Sequence, residues 1–494
     1  MPRQLRNINI GAPAFKGINT EDSPLSEDVT YADTADNCII DKNGRLAARS
    51  GYTSVTDTIT ELGGEAVKVI HELELNNGTK QVIACGNNKI LKDVSGTLTN
   101  ITGAATVTND YWKIVTFNNY AYFFNGVDSP LKYDGTTVSV NTGAPAGAEA
   151  LAAFGRLWAV ENNYTIKWSD LLDGTNWTTG TSGSIDVSKV WPDGYDEITA
   201  ISAHNNFLII FGRNSIIVYS GADDPATMAL SDTINGVGCV ARDSVQNIGS
   251  DVLFLSHGGV MALGRVLQEQ AMPVGRISST ITNDLLYTLN YETDNITSVY
   301  NAKHNFYLLL FPLNNLVYCF DTRGKLESGA LRVTRWVSIN FNCFYTLDSG
   351  ELYIGNSGGI GRYFGYTDNG STYRLRWYTH PISFNDPSRL KMLKKIRPTF
   401  IGGPSAIAIV KWAYDFSGGY KSAVINLNQG TPAEYNIDEY NTTAEYTAGI
   451  TYINKSVNTG GHGSFVSIGI ETEINGYPFS IQQVNIEALI GKMI

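Results

Sequence analysis

The stretch that decides the fold is Ile198-Thr-Ala-Ile-Ser-Ala-His-Asn-Asn-Phe-Leu-Ile-Ile-Phe-Gly-Arg-Asn-Ser-Ile-Ile-Val-Tyr219. Its first two apolar runs flank Asn205-Asn206, and asparagine is one of the few residues that tolerate the backbone of a tight hairpin turn. A second polar turn separates the third run. The stretch therefore predicts consecutive antiparallel strands, with the central strand Phe207-Leu-Ile-Ile-Phe211 buried on both faces.

The same unit recurs along the chain: a short apolar strand, a polar turn with Asn, Gly or Asp, and an alternating apolar strand. Successive turns lie 36 to 55 residues apart, which is close to the period of four-stranded propeller blades. Strands this apolar need cover on both faces, and radial stacking of sheets provides it. The turns centre on positions 77, 119, 155, 206, 250, 305 and 349. We predict an all-β fold with a β-propeller of six to eight blades; sandwiches built from similar hairpins are the alternative.

The chain divides into three predicted parts. Residues 1–58 are polar and turn-rich, and they predict an extended N-terminal arm that ends in a hairpin around Asn43-Gly44. Residues 59–370 form the predicted propeller, with a short helical insertion near 276–291, where apolar residues recur at helical spacing. Residues 371–494 keep strand character but lose the period, so they predict a separate C-terminal β-domain. The arm is too polar to form a core, and we expect it to lie on a neighbouring copy.

Charge is low and unevenly distributed. Only 17% of residues are charged and the net charge is -11, which argues against a broad basic face for nucleic acid. Residues 323–397 contain 12 Lys or Arg against 5 Asp or Glu, whereas residues 1–322 contain 20 against 34. A basic zone on an acidic chain predicts contact with an acidic neighbour, including another copy of the chain.

Chemical motifs are weak. Trp168-Ser-Asp-Leu-Leu-Asp-Gly-Thr-Asn-Trp177 approaches the Asp-box of sialidase-type propellers, but its spacing departs from that pattern and such a box braces a turn. Gly355-Asn-Ser-Gly-Gly359 lies between two predicted strands, whereas a hydrolase elbow needs a strand followed by a helix. The six histidines and five cysteines lack metal-ligand spacing, and no phosphate-binding glycine motif occurs. We predict no enzyme activity, no catalytic residues, no metal and no cofactor.

We also expect no secretion signal and no membrane anchor. The first residues lack an apolar signal segment, and the strongest apolar run, Phe306-Tyr-Leu-Leu-Leu-Phe311, is far too short to span a bilayer. The cysteines are odd in number and form no C-x-x-C pair, which predicts reduced, buried thiols.

Several stretches carry a family resemblance. They are Gly17-Ile-Asn-Thr-Glu-Asp-Ser-Pro-Leu25, Asn43-Gly-Arg-Leu-Ala-Ala-Arg-Ser-Gly-Tyr52, Asn235-Gly-Val-Gly-Cys-Val-Ala-Arg-Asp-Ser244 and Phe465-Val-Ser-Ile-Gly-Ile-Glu471. Together they resemble the tail nozzle proteins of short-tailed bacteriophages, also called tail tubular or DNA-stabilisation proteins. The resemblance implies a propeller body with a platform, six copies in a ring below the portal and adaptor, and DNA passing through the centre of the ring.

The predicted function is therefore that of a structural virion protein, a tail nozzle assembled in the host cytoplasm. Its expected partners are itself as a homohexamer, the portal and adaptor complex, tail fibres, and viral DNA that passes without sequence-specific binding. The candidate interface residues are Asn19, Asp22, Leu25, Arg45 and Arg49 in the arm and Arg389, Lys391, Lys394, Lys395 and Arg397 in the basic zone.

Two other functions stay open from the sequence. One is a glycan-binding or glycan-cleaving propeller for receptor recognition, which needs exposed aromatic side chains beside carboxylates; Trp177, Trp191 and Asp173 are its candidates. The other is a scaffold propeller of cellular origin that binds peptides.

Overall fold

Seven short sheets stand side by side around one axis in the computed structural model, which describes residues 4–56, 60–264, 276–403, 406–427 and 452–493. Six of these sheets supply four blade strands each, and one supplies three. In the described residues, seven apolar cores lie between neighbouring blades. The predicted all-β propeller of six to eight blades is confirmed.

Blades 1 to 4 are each built from consecutive strands. Their bounds are Val69–Glu74, Lys80–Gly86, Lys89–Val94 and Thr97–Asn100 for blade 1; Lys113–Phe117, Tyr120–Phe124, Leu131–Tyr133 and Val138–Val140 for blade 2; Ala150–Ala153, Arg156–Asn162, Thr165–Trp168 and Gly183–Asp186 for blade 3; and Ile198–His204, Phe207–Gly212, Ser215–Ser220 and Ala229–Asn235 for blade 4.

Blades 5 to 7 are less regular. Blade 5 has three strands, the outer strand of blade 6 continues into a larger sheet, and blade 7 takes its last strand from the N-terminal segment. Their bounds are Gln246–Asn247, Val252–Ser256 and Gly259–Ala262 for blade 5; Thr297–Asn301, Phe306–Phe311, Leu316–Lys325 and Leu331–Val337 for blade 6; and Cys343–Thr346, Leu352–Asn356, Gly359–Tyr363 and Tyr52–Ser54 for blade 7.

All seven predicted turns join the first and second strands of a blade. In blade 4, His204 pairs with Phe207 across Asn205 and Asn206, whose φ angles are 48° and 64°. The following strand is buried on both faces, as predicted: Ile209 and Phe211 pack towards blade 5, and Leu208 and Ile210 pack towards blade 3. Successive side chains of a β-strand point to opposite faces of the sheet, so alternate residues enter the two neighbouring cores.

Helix α1 spans Thr282–Tyr291 and lies between blades 5 and 6. The predicted insertion near 276–291 is therefore helical only in its second part. Residues before it are held as extended backbone and turns, because the Ile277 amide donates to the Val260 carbonyl of blade 5. Two single 3-10 turns, Pro225–Thr227 and Arg242–Ser244, are also present. No helix of the described chain is long and apolar enough to cross a membrane.

The N-terminal segment is part of the core of its own chain. Ile10, Phe15 and Ile18 are at most 1% exposed and lie in the largest apolar cluster. The expectation that this segment is too polar to form a core is wrong, because its few apolar residues are buried together in that cluster. The predicted hairpin at Asn43-Gly44 is present, and the predicted boundary at residue 58 lies outside the described residues. The strands are Gln4–Gly11, Gly17–Ile18, Tyr31–Asp36, Cys38–Ile40 and Leu46–Ala48.

The C-terminal strands continue the sheet of blade 6. Gly17 pairs with both Val333 of blade 6 and Tyr31, and the strand Tyr31–Asp36 then pairs with the first C-terminal strand. The C-terminal β-domain is therefore joined to the propeller through the N-terminal segment and is not separate. A second sheet packs on this one across the shared core. The C-terminal strands are Tyr373–Thr379, Arg389–Gly402, Ile407–Tyr414, Lys421–Asn426, Tyr452–Asn454, Val457–Asn458, Val466–Ile474 and Phe479–Met493.

Candidate functional site

A buried polar cluster fills the centre of the propeller. The guanidinium of Arg242 donates to the carbonyls of Ala148 and Trp112 at 2.5 and 2.7 Å, and it pairs with Asp243 at 2.7 Å. Its carbon lies 3.6 Å from the centroid of the Tyr111 ring. Because these partners belong to the entrances of blades 2, 3 and 5, Arg242 ties three blades together at the axis.

Glu149 is the least satisfied member of this central cluster. One carboxylate oxygen lies 3.3 Å from Lys113 Nζ, and Oε2 lies 3.6 Å from Arg242 Nε without a hydrogen bond. Burial disfavours the charged form and raises the pKa of Glu149 to about 7, despite the two nearby cations. No residue spacing marks this cluster, although Arg242 and Asp243 lie within one of the stretches that carry the family resemblance.

A cavity of about 650 Å³ opens beside the central cluster. Arg242 and Glu149 form part of its wall, and Glu161, Glu197 and Asp294 line it further out. The geometry braces the propeller and leaves its axis occupied by side chains.

A second buried ion pair fixes the N-terminal segment. Arg49 is 1% exposed and binds Asp368 through two hydrogen bonds of 2.8 and 2.6 Å. Its guanidinium also lies 4.0 Å from the centroid of the Tyr373 ring, and its Nε donates to Asn37. These contacts join the N-terminal segment, the chain after blade 7 and the first C-terminal strand.

The predicted interface residues of the arm have different environments. Asn19 is buried and forms a local turn, accepting the Glu21 amide and donating to Asp22 at 2.8 Å. Leu25 is 49% exposed, and Asp22 is exposed as well. Arg45 pairs with Asp41 at 2.6 Å. Arg49 is enclosed by its own chain, so the prediction that its side chain faces a partner is wrong; the other exposed positions remain candidates.

The basic zone is largely neutralised within the chain. Eight of its twelve bases form ion pairs, and several of the acids lie outside the zone, such as Asp36 and Glu487. Among the predicted residues, Arg389 pairs with Asp386 at 3.2 Å and Arg397 with Glu487 at 3.0 Å. Linear charge counting could not show this, because the acids come from distant strands.

The predicted interface lysines of the zone differ sharply in exposure. Lys391 is buried and donates to the Asp386 carbonyl, so the prediction that it lies at a surface is wrong. Lys394 is exposed and Lys395 is half-buried. Neither forms an ion pair with a described residue, and both stay candidate interface residues.

The glycan alternative loses its aromatic platform. Trp177 and Trp191 are 7% and 3% exposed, and the Trp177 indole donates to the Gly174 carbonyl within its own turn. Asp170 accepts the Thr181 amide at 2.9 Å, and hydrogen bonds from Thr181 and Leu171 lower the pKa of Asp170 to about 2. Asp173 accepts the Thr175 hydroxyl. These carboxylates brace a turn, as the sequence predicted for this stretch.

Other candidate chemistry is also accounted for by structure. Ser357 lies in a turn between strands Leu352–Asn356 and Gly359–Tyr363, so it does not occupy a hydrolase elbow. The five cysteines are buried free thiols, and burial raises the pKa of Cys239 and Cys343 to about 12. Among the described residues no three His, Cys, Asp or Glu side chains gather as metal ligands.

The blades stack around an axis that side chains fill. The fold is therefore a β-propeller in which the central side chains hold the blades together. The family model described as "Bacteriophage P22 Gp10, beta-propeller" matches residues 77–345, more than half of the chain, from the first turn of blade 1 into blade 7. The chain belongs to this family. A structural role in a bacteriophage follows at that level, and the predicted resemblance to a phage DNA-stabilisation protein is confirmed.

Solved structures with a similar backbone include other propellers at low identity. The computationally designed Ika8 protein is 13% identical, with a TM-score of 0.38 over 63% of this chain and 99% of that chain. The AfRom2 CNH domain is 11% identical, with a TM-score of 0.38 over 63% and 97%. The Neurospora crassa Pan2 WD40 domain is 7% identical, with a TM-score of 0.37 over 64% and 95%. A search of curated proteins found no match.

Proposed function

We propose that this chain is the subunit of a phage tail nozzle. Six copies form a ring that docks on the portal and adaptor, carries tail fibres and conducts viral DNA without reading its sequence. The family match over residues 77–345 is the observation that carries this proposal.

The central cluster bears on where DNA would pass. Arg242 bonds across the axis to the entrances of blades 2 and 3 and stacks on Tyr111, so the centre of a single propeller is occupied. A DNA path therefore has to lie outside the propeller axis, between copies. This is the arrangement that a ring of subunits provides.

The charge of the chain suits a conduit. A chain of net charge -11 offers few of the multiple cationic contacts that hold a protein to DNA phosphates. Repulsion between the chain and the phosphates favours sliding and opposes retention.

The first test is the native mass and negative-stain image of the purified full chain, alone and mixed with the portal and adaptor complex. We expect a sixfold ring with a central channel. A monomer that stays monomeric with the portal and adaptor would contradict the proposal.

A DNA-binding measurement on the same material tests the conduit. We expect duplex DNA to bind more weakly than the roughly 10⁻⁴ to 10⁻⁶ M typical of non-specific binding at physiological salt. Tight binding with a steep salt dependence would show a DNA-gripping protein instead.

A further inference from the structure

Three lysines on the C-terminal strands form no ion pair with the residues that the structure describes. Lys394 and Lys455 are exposed, Lys395 is half-buried, and none forms an ion pair with a described residue. They lie along one pairing of segments: the Lys455 amide donates to the Pro398 carbonyl, and Lys395 pairs in register with Asn458. We call these three residues the lysine edge.

The lysine edge also has an apolar component. Tyr452 is 53% exposed on the short strand that pairs with Arg389–Gly402, and Lys455 follows directly after this strand. An exposed tyrosine on the same paired segments as these lysines is the composition of a protein contact, because aromatic residues supply buried area and charges set orientation.

Acidic side chains surround the outer strand of blade 4, Ala229–Asn235: Asp232 lies on it, Asp223 and Asp224 lie in the loop before it, and Asp193 accepts a hydrogen bond from Asn235 at its end. Residues 190–235 contain six acids and a single base, Arg213, which lies 3.6 Å from Glu197. Four aspartates in this range form no ion pair with a described residue, and Leu230 between them is 49% exposed. They are Asp193, Asp223, Asp224 and Asp232.

Blades 1 to 3 have a more balanced charge. In blades 1 and 2 a lysine lies beside an acid on or just after the third strand, Lys92 by Asp93 and Lys132 by Asp134, and in blade 3 Lys189 follows Asp186 at the end of the outer strand. Blade 6 is continued by the N-terminal segment, and blade 7 is closed by Tyr52–Ser54. Of the four blades built from consecutive strands, blade 4 therefore presents the strongest counter-charge to a lysine-rich surface.

We propose that the lysine edge of one copy docks on the outer strand of blade 4, and on the acidic loop that precedes this strand, in the next copy. The two surfaces are different patches of one chain, so the contact is head-to-tail, and a head-to-tail contact closes into a ring when its rotation permits. This inference rests on the proposed function, because it names the surfaces that hold the proposed ring together.

Charge reversal tests the contact. Lys394→Glu with Lys455→Glu, and separately Asp223→Lys with Asp224→Lys, place like charges across it; all four side chains are exposed, so the monomer should fold. We expect each double variant to raise the dissociation constant of the ring by roughly tenfold or more, as close charge pairs do at protein interfaces. The quadruple variant restores opposite charges at every contact and should recover assembly.

The matched control is Lys303→Glu with Lys325→Glu, which changes net charge equally at two exposed lysines of blade 6 and should leave the ring intact. Native mass and circular dichroism are measured for all variants. If the wild type forms a ring and both double variants form it equally well, this inference is overturned and the proposed function stands. Failure of the quadruple variant to recover would overturn the pairing with blade 4. Loss of DNA binding with unchanged assembly would assign the lysines to DNA, whereas a wild-type chain that never assembles contradicts the proposed function itself.

Discussion

Blade 4 and blade 7 each have four strands, but their fourth strands come from different parts of the chain. Blade 4 uses residues 198–235 in order, so every pairing is between neighbours in sequence. Blade 7 takes three strands from residues 343–363 and its fourth, Tyr52–Ser54, from near the other end of the chain. The comparison shows that one architecture combines blades that form locally with a blade that exists only when the chain ends meet.

The first way to break this comparison is to remove the closing strand. Deleting residues 1–54 removes Tyr52–Ser54 and also the buried side chains of Phe15 and Ile18. We expect loss of the cooperative folded state, because the deletion opens blade 7 and uncovers the largest apolar core. Thermal unfolding followed by circular dichroism measures it.

A shorter deletion, of residues 1–11, is the control. It removes the strand that pairs with Phe479–Met493 but keeps the closing strand of blade 7, so we expect a destabilised chain that still folds. If the longer deletion left a monomer with wild-type unfolding, the N-terminal segment would be dispensable and our description of blade 7 as dependent on it would be wrong.

The second prediction separates the closing strand from the ion pair that holds it. Arg49→Met leaves Asp368 without its partner in a largely buried position. We expect a loss of about 3–5 kcal/mol in the free energy of unfolding, the usual cost of breaking a buried pair on one side. Denaturant unfolding at constant pH measures it.

Arg362→Met is the matched control for the ion pair. Its partner Glu351 is 3.4 Å away and both side chains are substantially exposed, so we expect a change of at most about 1 kcal/mol. Equal losses in the two variants would show that burial of Arg49 contributes nothing particular.

The third prediction concerns the centre, where blades of both kinds meet. The folded state raises the pKa of Glu149 from 4.5 to about 7, so it holds a proton that the unfolded chain has released. Stability from this group is complete below pH 4.5 and falls as pH rises to 7. At 1.36 kcal/mol per pKa unit the decrease is about 3 kcal/mol.

Glu149→Gln keeps the shape of the protonated acid and removes its titration. We expect the free energy of unfolding of the wild type to fall by about 3 kcal/mol relative to the variant between pH 4.5 and 7.5. Denaturant unfolding across this range tests it. Parallel pH profiles would mean that Glu149 titrates in the folded chain as it does in water.

The local features of the blades could be predicted from the sequence, whereas the contacts that depend on distant segments could not. The turn at Asn205-Asn206 and the apolar run after it are local, and they predicted the blades and their period correctly. Arg49 was predicted at an interface because a charged residue in a polar segment is usually exposed; its partners Asp368 and Tyr373 lie more than 300 residues away. Glu149 and Arg242 come together only at the axis, so no spacing marks them. Periodic local contacts are visible in one sequence, whereas partners set by chain closure are not.

The smallest expected loss of stability tests whether blades 4 and 7 differ only in the origin of their fourth strand. Asn206 in the turn of blade 4 and Gly350 in the turn of blade 7 have φ angles of 64° and 80°. Alanine at either position strains the backbone, and a Cβ at Gly350 meets no atom closer than 3.5 Å, so strain is the whole cost there. We expect Asn206→Ala and Gly350→Ala each to lose about 1 kcal/mol, and Asn206→Gly to change little. Denaturant midpoints with unchanged slopes would measure this equality. A much larger loss at Gly350 would mean that blade 7 depends on its turn as well as on the strand Tyr52–Ser54. A blade that is held by distant segments has less local pairing to resist a strained turn.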